Sequence, residues 1–106
     1  MRLRFLFVLA ILMSVQVFSQ DDLFAKEYFE NGDFEKAIYE YKKLYQQSPS
    51  NINYINQIVS SYQQLERYDD AEKFLLQLLE RIKYPAFYVE LGYNYQLKGD
   101  LENANS

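Results

Sequence analysis

With no histidine and no cysteine among its 106 residues, the chain lacks imidazole bases, thiolate nucleophiles and the usual zinc ligands. Any acid–base chemistry would fall to carboxylates. Two clusters offer themselves: Glu27 with Glu30, and Asp69-Asp70 with Glu72 close behind. A glycosidase pair needs two carboxyl groups facing each other across a cleft. Lys26 and Lys73 stand beside these clusters instead, the pattern of solvated charge on a helix surface. Asp69-Asp70-x-Glu72 also lacks the alternating ligand spacing and the turn glycine of a calcium loop. No glycine-rich phosphate cradle is present. The sequence therefore points away from catalysis and implies neither a metal nor a cofactor.

Charge narrows the partners. Fifteen acidic residues against 11 basic ones give a formal net charge of −4, which repels phosphate and disfavours both nucleic acid and an anionic bilayer surface. Two of the basic residues, Arg2 and Arg4, precede an apolar run from Phe5 to Met13, and Val17 and Ser19 then flank Phe18. A positive start, an apolar stretch and small residues before a cut make a secretory leader. The reading is a signal peptide over 1–19, cleaved after Ser19, with a mature chain beginning at Gln20. The apolar stretch, interrupted by Ser14 and Gln16, is shorter than the roughly 20 residues a spanning helix needs, so no membrane insertion of the mature chain is expected. A lipoprotein requires a cysteine directly after its leader, and none exists. The expected location is the periplasm or the cell surface.

The elements that must position any site are helical. Leu23, Phe24, Tyr28 and Phe29 form an apolar stripe at helical spacing, ended by Asn31-Gly32. Asp33 is placed to cap a second helix with the stripe Phe34, Ala37, Ile38, Tyr41, Leu44 and Tyr45. Ser48-Pro49-Ser50-Asn51 breaks the chain. A third helix carries Ile55, Ile58, Val59, Tyr62 and Leu65. A fourth is expected to start near Asp69, with Glu72 completing an Asp variant of the capping box, and to bury Phe74, Leu75, Leu78, Leu79 and Ile82. Pro85 suits the first turn of a fifth helix. That helix is expected to place Tyr88, Leu91, Gly92 and Tyr95 on one face and to end at Gly99.

These elements repeat. Gly32-Asp33-Phe34 with Ala37 and Tyr41 recurs as Tyr68 with Ala71 and Leu75, and again as Gly99-Asp100-Leu101 with Ala104. The alanines are spaced by 34 and then 33 residues. A unit of that length is one helix-turn-helix that must stack on a neighbour to bury its apolar face. The spacing resembles the tetratricopeptide repeat, in which a bulky residue, Leu-Gly and Tyr are followed by a Gly-Asp-Tyr turn, Ala, an aromatic, a small residue and Pro. The residues that carry the resemblance are Ala25, Tyr28, Gly32, Ala37, Tyr41 and Pro49 in 20–51, and Tyr62, Tyr68 and Ala71 in 52–84. In 85–106 they are Tyr88, Leu91, Gly92, Tyr95, Gly99 and Ala104. The second unit departs from the pattern, with Val59 for a small residue and Glu66-Arg67 for Gly-Asp. The resemblance implies an all-α fold: an antiparallel helix-hairpin α-solenoid of about 2.5 units, a piece of a right-handed superhelix whose third unit is incomplete.

It also implies a function. In this family the first helix of each hairpin lines a concave face that grips a partner segment. Here that face would hold Asp22, Lys26, Phe29, Glu30, Asn56, Ser60, Gln63, Tyr93 and Gln96. The family's carboxylate clamp uses several cations, and Lys26 alone supplies one here, so the clamp is not expected. Amide and hydroxyl groups, which both donate and accept, suit the backbone of an extended peptide instead. The implied function is an exported, non-enzymatic scaffold for protein or peptide binding. Two other readings stay open: an N-terminal docking module of a larger exported enzyme, sensor or envelope-assembly factor, and a structural repeat protein that self-associates through its incomplete third unit.

Overall fold

The computed structural model describes residues 22–105; the expected leader over 1–19, its cut after Ser19 and the start at Gln20 lie outside them. Five helices follow one another: α1 over 22–30, α2 Phe34–Gln47, α3 Ile52–Gln64, α4 Tyr68–Arg81 and α5 Pro85–Asn105. The core is a continuous ridge of Ile, Leu, Tyr and Ala side chains from α1 to the start of α5. Ile55, Ile58, Leu75 and Leu78 lie at its centre, each contributing roughly 1.5–3 kcal/mol by leaving water. Ala25, Ala37 and Ala71 are completely buried. Their lack of a long side chain lets the helix backbones approach closely. Tyr41 and Tyr62 are buried among them, while Tyr28 and Tyr68 are half-buried.

The two hairpin turns are built alike from unlike residues. After α1, the Asp33 amide donates to the Tyr28 carbonyl (2.8 Å) and the Gly32 amide to Phe29 (3.1 Å), with Gly32 at φ 77°. After α3, the Arg67 amide donates to Tyr62 (2.8 Å) and the Glu66 amide to Gln63 (3.0 Å), with Glu66 at φ 58°. Both are left-handed helix ends that satisfy orphan carbonyls. Between hairpins, Pro49 lies exposed in the turn after α2, and the Asn51 side chain accepts from the Tyr54 amide at 3.3 Å to open α3. Pro85 is the first residue of α5, where its missing N–H costs no hydrogen bond.

Several expectations are corrected. Asp33 does occupy the cap position of α2, but its side chain makes no capping bond and pairs with Lys36 at 3.6 Å. The Asp69–Glu72 capping box does not form, because the Glu66 turn delivers the chain into helix at Tyr68, with Arg67 at the cap. Leu23 and Phe24 are more than half exposed, and Ala25, with Tyr28 and Phe29, makes the inner face of α1.

The largest correction concerns α5, which runs straight through Gly99-Asp100-Leu101 instead of turning there. Glycine costs a helix about 1 kcal/mol. On either side of it, half-buried Leu97 and Leu101 share one side of α5, and Lys98 bonds Asp69 at 2.8 Å, so continuing the backbone ladder is favoured. The buried line of α5 is Phe87, Leu91, Asn94, Lys98 and Leu101, to different degrees. It is displaced by about one residue from the expected stripe. Tyr88 and Tyr95 are consequently about half exposed, Gly92 and Ala104 are exposed, and Gly99 is only partly covered. Among the described residues, a Cβ added at either glycine would meet nothing within 4 Å, so neither marks a close crossing of these helices.

Candidate functional site

The polar side of α3 follows from its buried side. Ile55, Ile58, Val59 and Tyr62 face the core. The intervening helical positions Asn53, Asn56, Gln57, Ser60, Gln63 and Gln64 therefore form a stripe facing the other way. Antiparallel to α4, as the Tyr95–Glu72 and Lys98–Asp69 bonds show, α5 lies alongside and presents Glu90 and Tyr93 to the same space. The result is a cleft of about 450 Å³ lined by these eight side chains.

One buried residue holds the walls together. Asn94 is completely buried; its amide nitrogen donates to the Tyr68 carbonyl at 2.9 Å, and its amide oxygen accepts from Gln63 Nε2 at 3.3 Å. It thus ties α5 both to the cleft wall of α3 and to the start of α4. At the outer edge, Tyr95 donates to Glu72 at 2.8 Å and Lys98 to Asp69 at 2.8 Å. These bonds raise the Tyr95 phenol pKa and the Lys98 ammonium pKa. The carboxylates of the Asp69-Asp70-x-Glu72 cluster are thus spread over three separate partners, Asp70 taking Arg67 at 2.8 Å. Among the described residues no group of three acidic side chains could hold a metal ion.

Of the residues expected on the partner face, Asn56, Ser60, Gln63 and Tyr93 meet in this cleft. Gln96 is exposed elsewhere on α5. Asp22, Lys26 and Glu30 are exposed on α1, outside the cleft. Phe29 turns inward, half-buried, with its ring edge-to-face against Phe34 at 5.4 Å. Asp22 and Glu30 act on the core from a distance: burial first, then Asp22, Tyr54 and Glu30, push the Tyr41 phenol up to about 12. The sequence reading missed Asn53, Gln57, Gln64 and Glu90. The first three were legible as the complement of the buried α3 stripe; Glu90 required the true rotation of α5.

Chemically, the cleft offers amides that donate and accept, one hydroxyl, one half-exposed phenol and one carboxylate, with no cation among its lining residues. A tetratricopeptide repeat family model matches residues 28–87, more than half of the chain. The chain belongs to the tetratricopeptide repeat family. No curated protein and no solved structure matches it. Tetratricopeptide repeat domains generally bind proteins or peptides. The matched span contains the whole α3 wall of the cleft and stops short of Glu90 and Tyr93. Among the described residues no helix is long and apolar enough to cross a membrane.

Proposed function

We propose that this tetratricopeptide repeat protein is an exported, non-catalytic scaffold whose α3–α5 cleft holds an extended peptide segment of a partner protein. The observation that carries the reading is the lining: a row of amide side chains along one wall, facing Tyr93 and Glu90 on the other. Amides bond peptide N–H and C=O groups equally well, and a partly exposed tyrosine gives apolar contact at low entropic cost. Glu90, the single charge, favours a segment with a basic side chain over one ending in a carboxylate. Export is supported by the residue pattern of 1–19, and a non-catalytic role by the absence of histidine and cysteine.

Selection of peptides from a random unstructured library on the immobilised chain tests the cleft. Asn56→Ala together with Gln57→Ala removes two partners worth about 0.5–1.5 kcal/mol each, and should weaken selected peptides about tenfold. Unchanged affinity in a double variant with intact helical circular dichroism would contradict the assignment. Export is tested separately by N-terminal sequencing of the protein from the envelope fraction. The expected first residue is Gln20, and recovery of the chain with Met1 in the cytosol would contradict it.

A further inference from the structure

A second groove lies between α2 and α4, and its chemistry is the reverse of the first. Two hollows of about 350 and 320 Å³ share Phe74 and Gln77 and so run into one another along α4. The floor is apolar and aromatic: Leu78 and Tyr62 are buried, and Tyr45 and Phe74 meet edge-to-face at 5.4 Å. The rim is cationic. Lys42, Arg67 and Lys73 surround one hollow and Arg81 the other, with Asp70 the one carboxylate lining either. In a chain with 15 acidic and 11 basic residues, this local excess of positive charge runs against the whole.

Three of the four cations, Lys42, Lys73 and Arg81, have no salt-bridge partner among the described residues, while Arg67 feels both Asp70 and Glu35. Asp70 is committed to Arg67 at 2.8 Å. Arg81 is met by a neutral partner, the Tyr45 hydroxyl to which it donates, and by the same ring at 5.9 Å. Lys42 and Arg67 both stand over the Tyr62 ring, at 5.3 and 5.1 Å from its centroid. Each gains from the ring, and two like charges gathered at one hollow favour an anion entering it.

We propose that the α2–α4 groove docks an acidic peptide segment. Lys73 and Arg81 are eight residues apart on α4, about 12 Å along the axis. An extended chain covers that distance in about four residues. The fitting segment therefore carries carboxylates about four positions apart, the first at Lys42 and Lys73 and the second at Arg81, with an aliphatic or aromatic side chain between them on Phe74 and Leu78. A polyphosphate chain fits less well, because it has no apolar side chain to place on the Phe74 and Leu78 floor.

Fluorescence anisotropy on the full chain tests this, using a labelled peptide Glu-Asp-Gly-Phe-Gly-Glu-Asp, whose inner carboxylates are four positions apart, and its amide counterpart Gln-Asn-Gly-Phe-Gly-Gln-Asn. The acidic peptide should bind at least tenfold more tightly, with affinity falling as salt rises. Lys42→Glu with Lys73→Glu should abolish that preference; both side chains are exposed, and circular dichroism verifies that the variant folds. Asn56→Ala with Gln57→Ala, in the other cleft, should leave it unchanged. Absence of binding, equal binding of the two peptides, insensitivity to the lysine reversals, or tighter binding of a single-stranded DNA of equal charge would each overturn the proposal.

Discussion

Glu66 at φ 58° and Gly32 at φ 77° perform the same turn, but only glycine does so without steric cost. Glu66→Gly should therefore raise stability by about 0.5–1 kcal/mol, seen as a higher thermal midpoint; a lower midpoint would mean that the Glu66 side chain contributes something its exposure does not suggest. Ser61 is completely buried, and among the described residues its hydroxyl oxygen has no hydrogen-bond partner. Ser61→Ala removes an uncompensated polar group and should be neutral or stabilising by up to about 1 kcal/mol, against the loss expected had the hydroxyl been bonded. Tyr41, pushed up to about 12 in the fold from about 10 unfolded, keeps its contribution below pH 10. The contribution is lost as pH rises from 10 through 12, up to about 2–3 kcal/mol. Alkaline denaturation should show this slope in the native chain and a shallower one in Tyr41→Phe; identical slopes would contradict it.

Among the elements, α5 is the one whose placement depends most on polar bonds, since its buried line is interrupted by Asn94 and Lys98. Asn94→Ala removes a side-chain donor to the Tyr68 carbonyl and the acceptor of Gln63 Nε2, and should cost about 1–3 kcal/mol. Amide hydrogen exchange is expected to quicken in α5 more than in α2 or α3, and a uniform increase would show that α5 does not open on its own. Across the crossing of α3 and α4, Ala71→Leu should overpack a completely buried site and lower stability by roughly 1–3 kcal/mol. The helices of the first hairpin were legible because period and glycine signals coincide there, and the breaks before α3 and at α5 because Pro49 and Pro85 mark them; the second hairpin rested on its period, its turn carrying Glu66 in place of a glycine. The course of α5 was not legible. Its tyrosines read as apolar in a periodicity count, yet being amphipathic they tolerate half-exposure, and nothing local marks Asn94 as buried. A Gly-Asp pair signals a turn only where packing on both sides rewards one, and beside Gly99 it rewards continuation.

At the scale of the whole molecule, stacking hairpins separates two surfaces of different character. The first-helix side gathers amides into the α3–α5 cleft; the second-helix side gathers cations over an aromatic floor. The lining of the first was half legible in sequence: Asn56, Ser60, Gln63 and Tyr93 came from the repeat register, while α1 contributed none of its expected residues, because a cleft forms between the helices that flank it. The central claim is that the α3–α5 cleft is where a partner's extended peptide binds. Backbone amide shifts of the isotopically labelled chain, titrated with a library-selected peptide, test it most directly. The account predicts the largest changes at residues 53–64 and 90–93. Changes confined to α2 and α4, with residues 53–64 unmoved at saturation, would contradict it.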